Sequence, residues 1–331
     1  MNEASSFGAL IIGCGAIAGR YDTPPLLNTH SGGIRAVSGL DLVGCVVIDP
    51  IAARDLAHRF DTVPFLSIPI AIEESRPDVA VVASSTSSHR RVVEEILQGP
   101  KVPRVIILEK PAATNRQDYE ELLESVSKSD ALCLVNMTRR YCGSSMEIRE
   151  IIKSSDLGDP TRVFCTYYGG LRNNGVHLVD YLDILFSSSL ESIEITGLVP
   201  SRFVEDPCVE FKASLGVNGA KLDVRAIDER RFQAFEFDIW FPDGRLEIFD
   251  FGERARVRVV ETNDIVERVL STSPTNFEAS GFGQTVPLYE AIKNFLQRGG
   301  PFKFPSMEMR YHHRIIRQIS DIHDLSQTWR T

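Results

Sequence analysis

Six short, mostly apolar runs punctuate the first 136 residues: Ala9–Ile12, Leu42–Ile48, Val63–Leu66, Asp78–Ala83, Val105–Leu108 and Leu132–Val135. Stretches with helical character separate them, among them Ala52–Phe60, Ile68–Ser75, His89–Gln98 and Gln117–Ser127. Strand and helix in strict alternation constrain the fold more than any other feature. Each crossover carries the chain back over the sheet, so the expected product is α/β: a doubly wound parallel sheet of Rossmann type with helices on both faces. Ligands bind such sheets just past the carboxyl ends of the strands. The run Val105–Leu108 delivers Glu109-Lys110-Pro111 to that edge. For a lone Glu-Lys-Pro, solvated charges and a strand stop would be the simpler reading, but two other stretches favour a site.

The first is Gly13-Cys14-Gly15-Ala16-Ile17-Ala18, a G-x-G-x-x-A turn after an apolar run. Its first glycine permits the tight turn, its second lets backbone approach a pyrophosphate, and a small third residue lets helix and strand pack closely. The next strand ends at Asp49, whose carboxylate can accept from both hydroxyls of an adenosine ribose and would repel a 2′-phosphate. NAD is therefore expected, with NADP disfavoured, and Gly13, Gly15, Ala16, Ile17 and Asp49 are the first cofactor-binding candidates. Ser84 and Ser85, with His89, follow the fourth run in a hydroxyl-rich turn that can also bond a dinucleotide, and Ser87 or Ser88 suits a helix N-cap. Asp49 lies well beyond the roughly 20 residues that the simplest template places between turn and acid. The excess is read as an inserted loop, Tyr21–Gly33, where Pro24-Pro25 stops a helix begun at Ala16, followed by a helical piece at Gly33–Val37. His30 falls in the loop, where a surface position is expected.

The second stretch is Gly175-Val176-His177-Leu178-Val179-Asp180, opening a helix over Val176–Phe186. Here His177 and Asp180 share one side at i and i+3. Strands dominate from Glu191 to Val260; Phe235, Phe237, Ile239 and Phe241 alternate with Ala234, Glu236, Asp238 and Trp240, and Pro242-Asp243-Gly244 turns the chain. A broad, open antiparallel sheet in an α+β domain is expected, its exposed aromatic face able to meet a second subunit. Helices over Leu288–Leu296 and Glu308–Leu325 close the chain. The expected domains are 1–136 and 137–331, the last helix able to pack back on the first.

A net charge of −9 without any basic block argues against nucleic acid or an anionic membrane as partner. The first residues lack a signal-peptide pattern, and a cytoplasmic protein is expected. Six cysteines without a Cys-x-x-Cys pair read as reduced thiols. No metal is expected: His312, His313 and His323 on the last helix lack evident partners, and His177 with Asp180 supplies two ligands where catalytic zinc usually takes three.

Together these stretches resemble the glucose-fructose oxidoreductase, inositol dehydrogenase and MocA family of NAD(P)-dependent oxidoreductases. The resemblance rests on Gly13, Gly15 and Ala18, on Glu109-Lys110-Pro111, on Arg139-Arg140-Tyr141, and on Gly175, His177 and Asp180 of the family's Asp-x-Gly-x-His-x-x-Asp signature. It implies a cytoplasmic homodimer or homotetramer of sugar metabolism that transfers a hydride between nicotinamide and a secondary alcohol or ketone of a sugar, polyol or nucleotide-linked sugar. It further implies that Lys110 bonds the reacting oxygen and the nicotinamide ribose beside Glu109, and that His177 is the acid/base group. Asn173 and Arg140 would bind substrate. Asp180 either contacts substrate or orients its helix, and Arg172 either meets an anionic group or faces solvent. Asn173 departs from the signature, which usually has aspartate there. An amide cannot hold negative charge beside an imidazole, which keeps open a non-catalytic NAD-binding sensor or scaffold; the resemblance also leaves open a redox-neutral enzyme that retains its NAD.

Overall fold

The computed structural model describes residues 6–13, 15–19, 28–47, 49–154, 157–263, 267–278 and 285–329. Cys14, the Tyr21–Leu27 part of the expected loop with Pro24-Pro25, and the first five residues lie outside them. Two compact units emerge, Met1–Tyr141 with Gly283–His313 and Cys142–Phe282 with Arg314–Thr331.

The first unit is built on a parallel sheet of β1 (Phe7–Ile12), β2 (Leu40–Val46), β3 (Pro64–Phe65), β4 (Val79–Val82), β5 (Val105–Leu108) and β6 (Leu132–Val135), in the order β3-β2-β1-β4-β5-β6. Its helices are α1 (Ala16–Gly19), α2 (His30–Ala36), α3 (Pro50–Phe60), α4 (Ile68–Ser75), α5 (His89–Leu97) and α6 (Arg116–Ser127). Parallel strands covered on both faces bury every side chain, as the all-buried β4 and β5 do. Register then decides what shares an edge. Ile12 stands beside Val46 and Val82, Val82 beside Leu108, and Leu108 beside Val135. The residues that follow, Gly13, Ala83-Ser84, Glu109-Lys110 and Asn136, therefore leave the sheet along one carboxyl edge.

Two expectations are corrected here. Residues 30–33 are helix, because Thr29 caps α2 by accepting from Gly32 N at 3.1 Å. His30 is accordingly fully buried and not a surface histidine. The division after Asn136 also shifts. A late helix, Val286–Arg298, places Leu288, Tyr289, Ile292 and Leu296 in the same core as Ile11, Val81 and Ile107. An amphipathic helix must bury its apolar stripe somewhere, and sequence order does not say where.

The second unit contains α7 (Gly143–Ser154), β7 (Arg162–Tyr168) and α8 (Val176–Phe186), followed by β8 (Leu190–Val199), β9 (Cys208–Leu215), β10 (Lys221–Ile227), β11 (Glu236–Phe241), β12 (Gly244–Phe249), β13 (Arg254–Thr262), β14 (Arg268–Leu270) and β15 (Thr275–Glu278). The nine strands form one sheet, β14-β13-β12-β11-β7-β10-β9-β8 with β15 on β13. The sheet is mixed: β7 runs parallel to β10, and the other pairings are antiparallel. Alternation works as expected. Phe237, Ile239 and Phe241 are buried, Tyr181 of α8 meets the Phe237 ring edge-on at 5.1 Å, and Trp240 stays 44% exposed. The late helix 286–298 is α9, and α10 (Met309–Trp329) divides at His313, its first turn grouping with the first unit and the remainder with the second. In the second unit Arg314 pairs with the buried Asp183. No helix among the described residues is long and apolar enough to cross a membrane.

Candidate active site

The carboxyl edge of the first sheet holds a cleft of about 670 Å³, lined by Gly13, Gly15, Asp49, Ser84 and Ser85 among others. Gly13 takes φ +112°, and a Cβ there would lie 2.5 Å from the Ala83 carbonyl, so the turn is pressed against the end of β4. Only glycine meets both conditions. Gly15 also faces the Ala83 carbonyl, Ala18 is fully buried, and Ser31 Oγ closes on Ala18 O at 2.6 Å. Ala16 and Ile17 lie in α1, directly after Gly15. Asp49 sits at the cleft edge as N-cap of α3, its Oδ1 accepting from Ile51 N at 2.9 Å. That bond fixes the carboxylate relative to the strand that delivers it.

Ser84 and Ser85 belong to a hydroxyl network with Ser88, whose Oγ donates to Ser85 O at 2.7 Å. Ser88 is the N-cap of α5 by position but makes no side-chain cap bond. His89 is placed differently from a ligand donor. It is buried, with Nδ1 3.2 Å from Ala112 O and Nε2 3.2 Å from Ser84 O. Burial lowers its pKa despite those two carbonyls. His89 thus ties the loop after β4 to the loop after β5.

Glu109 is 8% exposed and anchors a buried polar cluster. Its Oε1 lies 2.8 Å from His30 Nε2 and accepts from Asn136 Nδ2 at 2.5 Å, while Oε2 accepts from Lys110 N at 3.3 Å. Tyr289 Oη is 2.7 Å from His30 Nδ1, and Tyr141 Oη donates to Asn136 Oδ1 at 3.0 Å. Burial pushes the Glu109 carboxyl up, but the His30 and Asn136 hydrogen bonds and the charges of His30 and Lys110 outweigh it and hold the carboxyl below its ordinary value. Lys110 follows, half-buried, with a cis peptide to Pro111. Arg139 and Arg140 are both buried in a short turn after β6. The sequence offered little sign of Tyr289, which lies 259 residues from His30.

In the second unit, β7 leads through Gly169 and Gly170, at φ +76° and +88°, into a single π turn, Leu171–Gly175, and then α8. Asn173 Nδ2 donates to Gly169 O at 2.9 Å. The Arg172 side chain is 34% exposed and paired. Its Nε lies 3.4 Å from Asp206 Oδ1, and its guanidinium also donates to Glu205 O. Asp206, invisible to motif reading, accepts from Arg172 N and Asn173 N at 2.9 Å each. His177 is half-buried in the first turn of α8, and Asp180 is fully buried one turn on. All five described cysteines are buried, and no disulfide joins any two of them. Among the described residues no group of three or more His, Cys, Asp or Glu side chains is arranged to hold a metal ion.

Residues 7–137 match the family model described as "Oxidoreductase family, NAD-binding Rossmann fold", GFO_IDH_MocA. Over these residues the chain is similar to this oxidoreductase family. Inositol 2-dehydrogenase 3 of Saccharopolyspora erythraea is 24% identical over 206 residues, 57% of this chain and 60% of that protein. The chain thus aligns with about three-fifths of that relative's length. Among solved structures, aldose-aldose oxidoreductase from Caulobacter crescentus, complexed with glycerol, superposes with a TM-score of 0.77 at 15% identity, covering 98% of each chain. A super-repressor mutant of Gal80p from Saccharomyces cerevisiae gives 0.79 at 12% identity, covering 98% of this chain and 97% of that one. At such identities the likeness is one of fold, a Rossmann unit joined to a mixed-sheet unit.

Proposed function

We propose that this protein is an NAD-dependent oxidoreductase that moves a hydride between nicotinamide and a secondary alcohol or ketone of a sugar, polyol or nucleotide-linked sugar. The observation that carries this reading is the shared edge. Gly13, Asp49 and Ser84 follow carboxyl ends of strands of one parallel sheet and line one cleft, and Lys110 follows the end of β5 on the same edge. The glycine turn would meet the pyrophosphate, and Asp49 the adenosine ribose, which favours NAD over NADP. When bound, the nicotinamide supplies the hydride acceptor.

Lys110 donates to the reacting oxygen and stabilises the developing alkoxide. His177 takes the hydroxyl proton in oxidation and returns it in reduction, since imidazole titrates near neutral pH. Asn173 orients a substrate hydroxyl, Asp180 supports the His177 turn from within, and Arg140 contributes positive charge. Arg172 is already compensated by Asp206, so its pull on an anionic substrate is diminished. The exposed aromatic face of the mixed sheet is proposed to pair with a second copy in a cytoplasmic homo-oligomer, which sedimentation would check.

The test is a panel of polyols, sugars and nucleotide sugars followed at the reduced-nicotinamide absorbance band, with Lys110→Ala alongside. Turnover that is lost on Lys110→Ala while NADH still binds supports the reading; turnover that survives removes Lys110 from it. A silent panel with tight NADH binding would favour a sensor, a reading that Asn173 and the fold shared with the Gal80p mutant keep alive.

A further inference from the structure

The turn that carries Asn173 opens with backbone N–H groups that its own helix cannot satisfy. Four in succession find partners on three consecutive residues. Gly170 N donates to Cys208 Sγ at 3.1 Å and Leu171 N to Pro207 O at 3.1 Å. Arg172 N donates to Asp206 Oδ1 and Asn173 N to Asp206 Oδ2, both at 2.9 Å. The last two bonds end on a carboxylate that is 8% exposed, so they are charge-assisted and shielded from water. An anion also suits the amino end of a helical turn. The same carboxylate pairs with the Arg172 guanidinium. Gly170 is the only residue type that fits beneath it, because a Cβ there would meet the Asp206 side chain. From this clasp the chain passes to α8: Gly170 O accepts from Asn174 N at 3.0 Å and from Gly175 N at 2.9 Å, two residues before His177.

We infer that Asp206 is a positioning residue for the 169–177 turn, an inference that rests on the roles given above to Asn173 and His177. The family signature places a carboxylate at position 173; in this chain a carboxylate reaches the same position from the backbone side, through Asp206. It fixes the main chain under Asn173 and balances the charge of Arg172, so that the turn leading to the acid/base imidazole carries no uncompensated cation.

The experiment compares Asp206→Asn and Asp206→Ala with wild type in the full chain, and Asp206→Asn, which keeps the shape, carries the test where Asp206→Ala fails to fold. Hydrogen exchange read by mass spectrometry requires no turnover. Amides of residues 170–175 should lose roughly tenfold or more in protection, while those of β1 to β6 hold. With a substrate found in the panel, kcat should fall about tenfold with NADH affinity unchanged, a split expected of a misplaced group. The acid limb of kcat/KM should also move to lower pH, because an unbalanced Arg172 disfavours protonated His177. Adding Arg172→Gln to Asp206→Asn should return that limb. Unchanged exchange overturns the inference, as does lost protection with kcat and pH profile intact. A wild-type protein that oxidises nothing in the panel would defeat the dehydrogenase reading instead, and exchange alone would then decide whether Asp206 holds the turn.

Discussion

His30 Nε2 lies 2.8 Å from Glu109 Oε1, joining a buried imidazole to a buried carboxylate at the end of β5. Because Glu109 is held ionised it can only accept, so Nε2 donates. Nδ1 lies 2.7 Å from Tyr289 Oη, and hydrogen bonds join Tyr289, His30, Glu109, Asn136 and Tyr141 in one chain.

Removing one partner from a buried charge leaves the other uncompensated. His30→Leu should therefore cost about 3 to 5 kcal/mol in unfolding free energy, against a smaller loss for His30→Gln, which keeps a donor. Urea denaturation of both variants checks this. A loss below about 1 kcal/mol in His30→Leu would mean that Asn136 and the Lys110 amide hold the carboxylate unaided.

His312 gives stability a pH dependence of its own. It is 1% exposed, neither ring nitrogen has a hydrogen-bond partner among the described residues, and burial, aided by Arg140, pushes its pKa down to about 3. In the unfolded chain the group titrates near the ordinary 6.5. The folded value is the lower one, so the unfolded state binds the extra proton. Stability from this group is complete above pH 6.5 and drains away as pH falls towards 3. Between pH 6.5 and 5 the loss approaches about 2 kcal/mol. His312→Leu should flatten that part of the stability curve, and parallel curves for wild type and variant would contradict the account.

Asp49 does two jobs that substitution can separate. Asp49→Ser keeps an N-cap for α3 but removes the charge at the cleft edge. The ratio of NADH to NADPH affinity should fall by about tenfold, since the repulsion of a 2′-phosphate disappears. Fluorescence titration with both cofactors reads it, and an unchanged ratio would detach cofactor choice from Asp49.

Asn173→Asp introduces the residue usual in the family that the chain resembles and should nonetheless impair this protein. The Asn173 amide donates to Gly169 O at 2.9 Å, whereas a carboxylate would face that carbonyl as a second acceptor, with Asp206 already supplying negative charge to the same turn. The expected loss is about 1 to 3 kcal/mol of stability, with lower kcat/KM in the substrate panel. A gain in turnover would show that the amide is a handicap and not an adaptation.

Much of the first unit was legible from short-range pattern. Buried parallel strands read as continuous apolar runs, and a glycine turn followed by an acid-terminated strand marks the cleft edge, because in both cases the determinants are neighbours in sequence. Glu109, Lys110 and Asn173 stood out for the same reason. His30 did not, since its place depends on a cap at Thr29 and on Tyr289 from α9. Nor did Asp206, an ordinary loop acid until β9 brings it under the Asn173 turn.

The sequence by itself determined most of the segments that become strands and helices and which of their faces are apolar, for these follow from backbone sterics and periodicity within a few residues. Only the tertiary structure decided the partners of the buried charges: Glu109 with His30, Arg172 with Asp206, Asp183 with Arg314. A charge withdrawn from water needs a specific counter-group at hydrogen-bond distance, and which group arrives there is set by how distant segments pack, not by the residues that flank it.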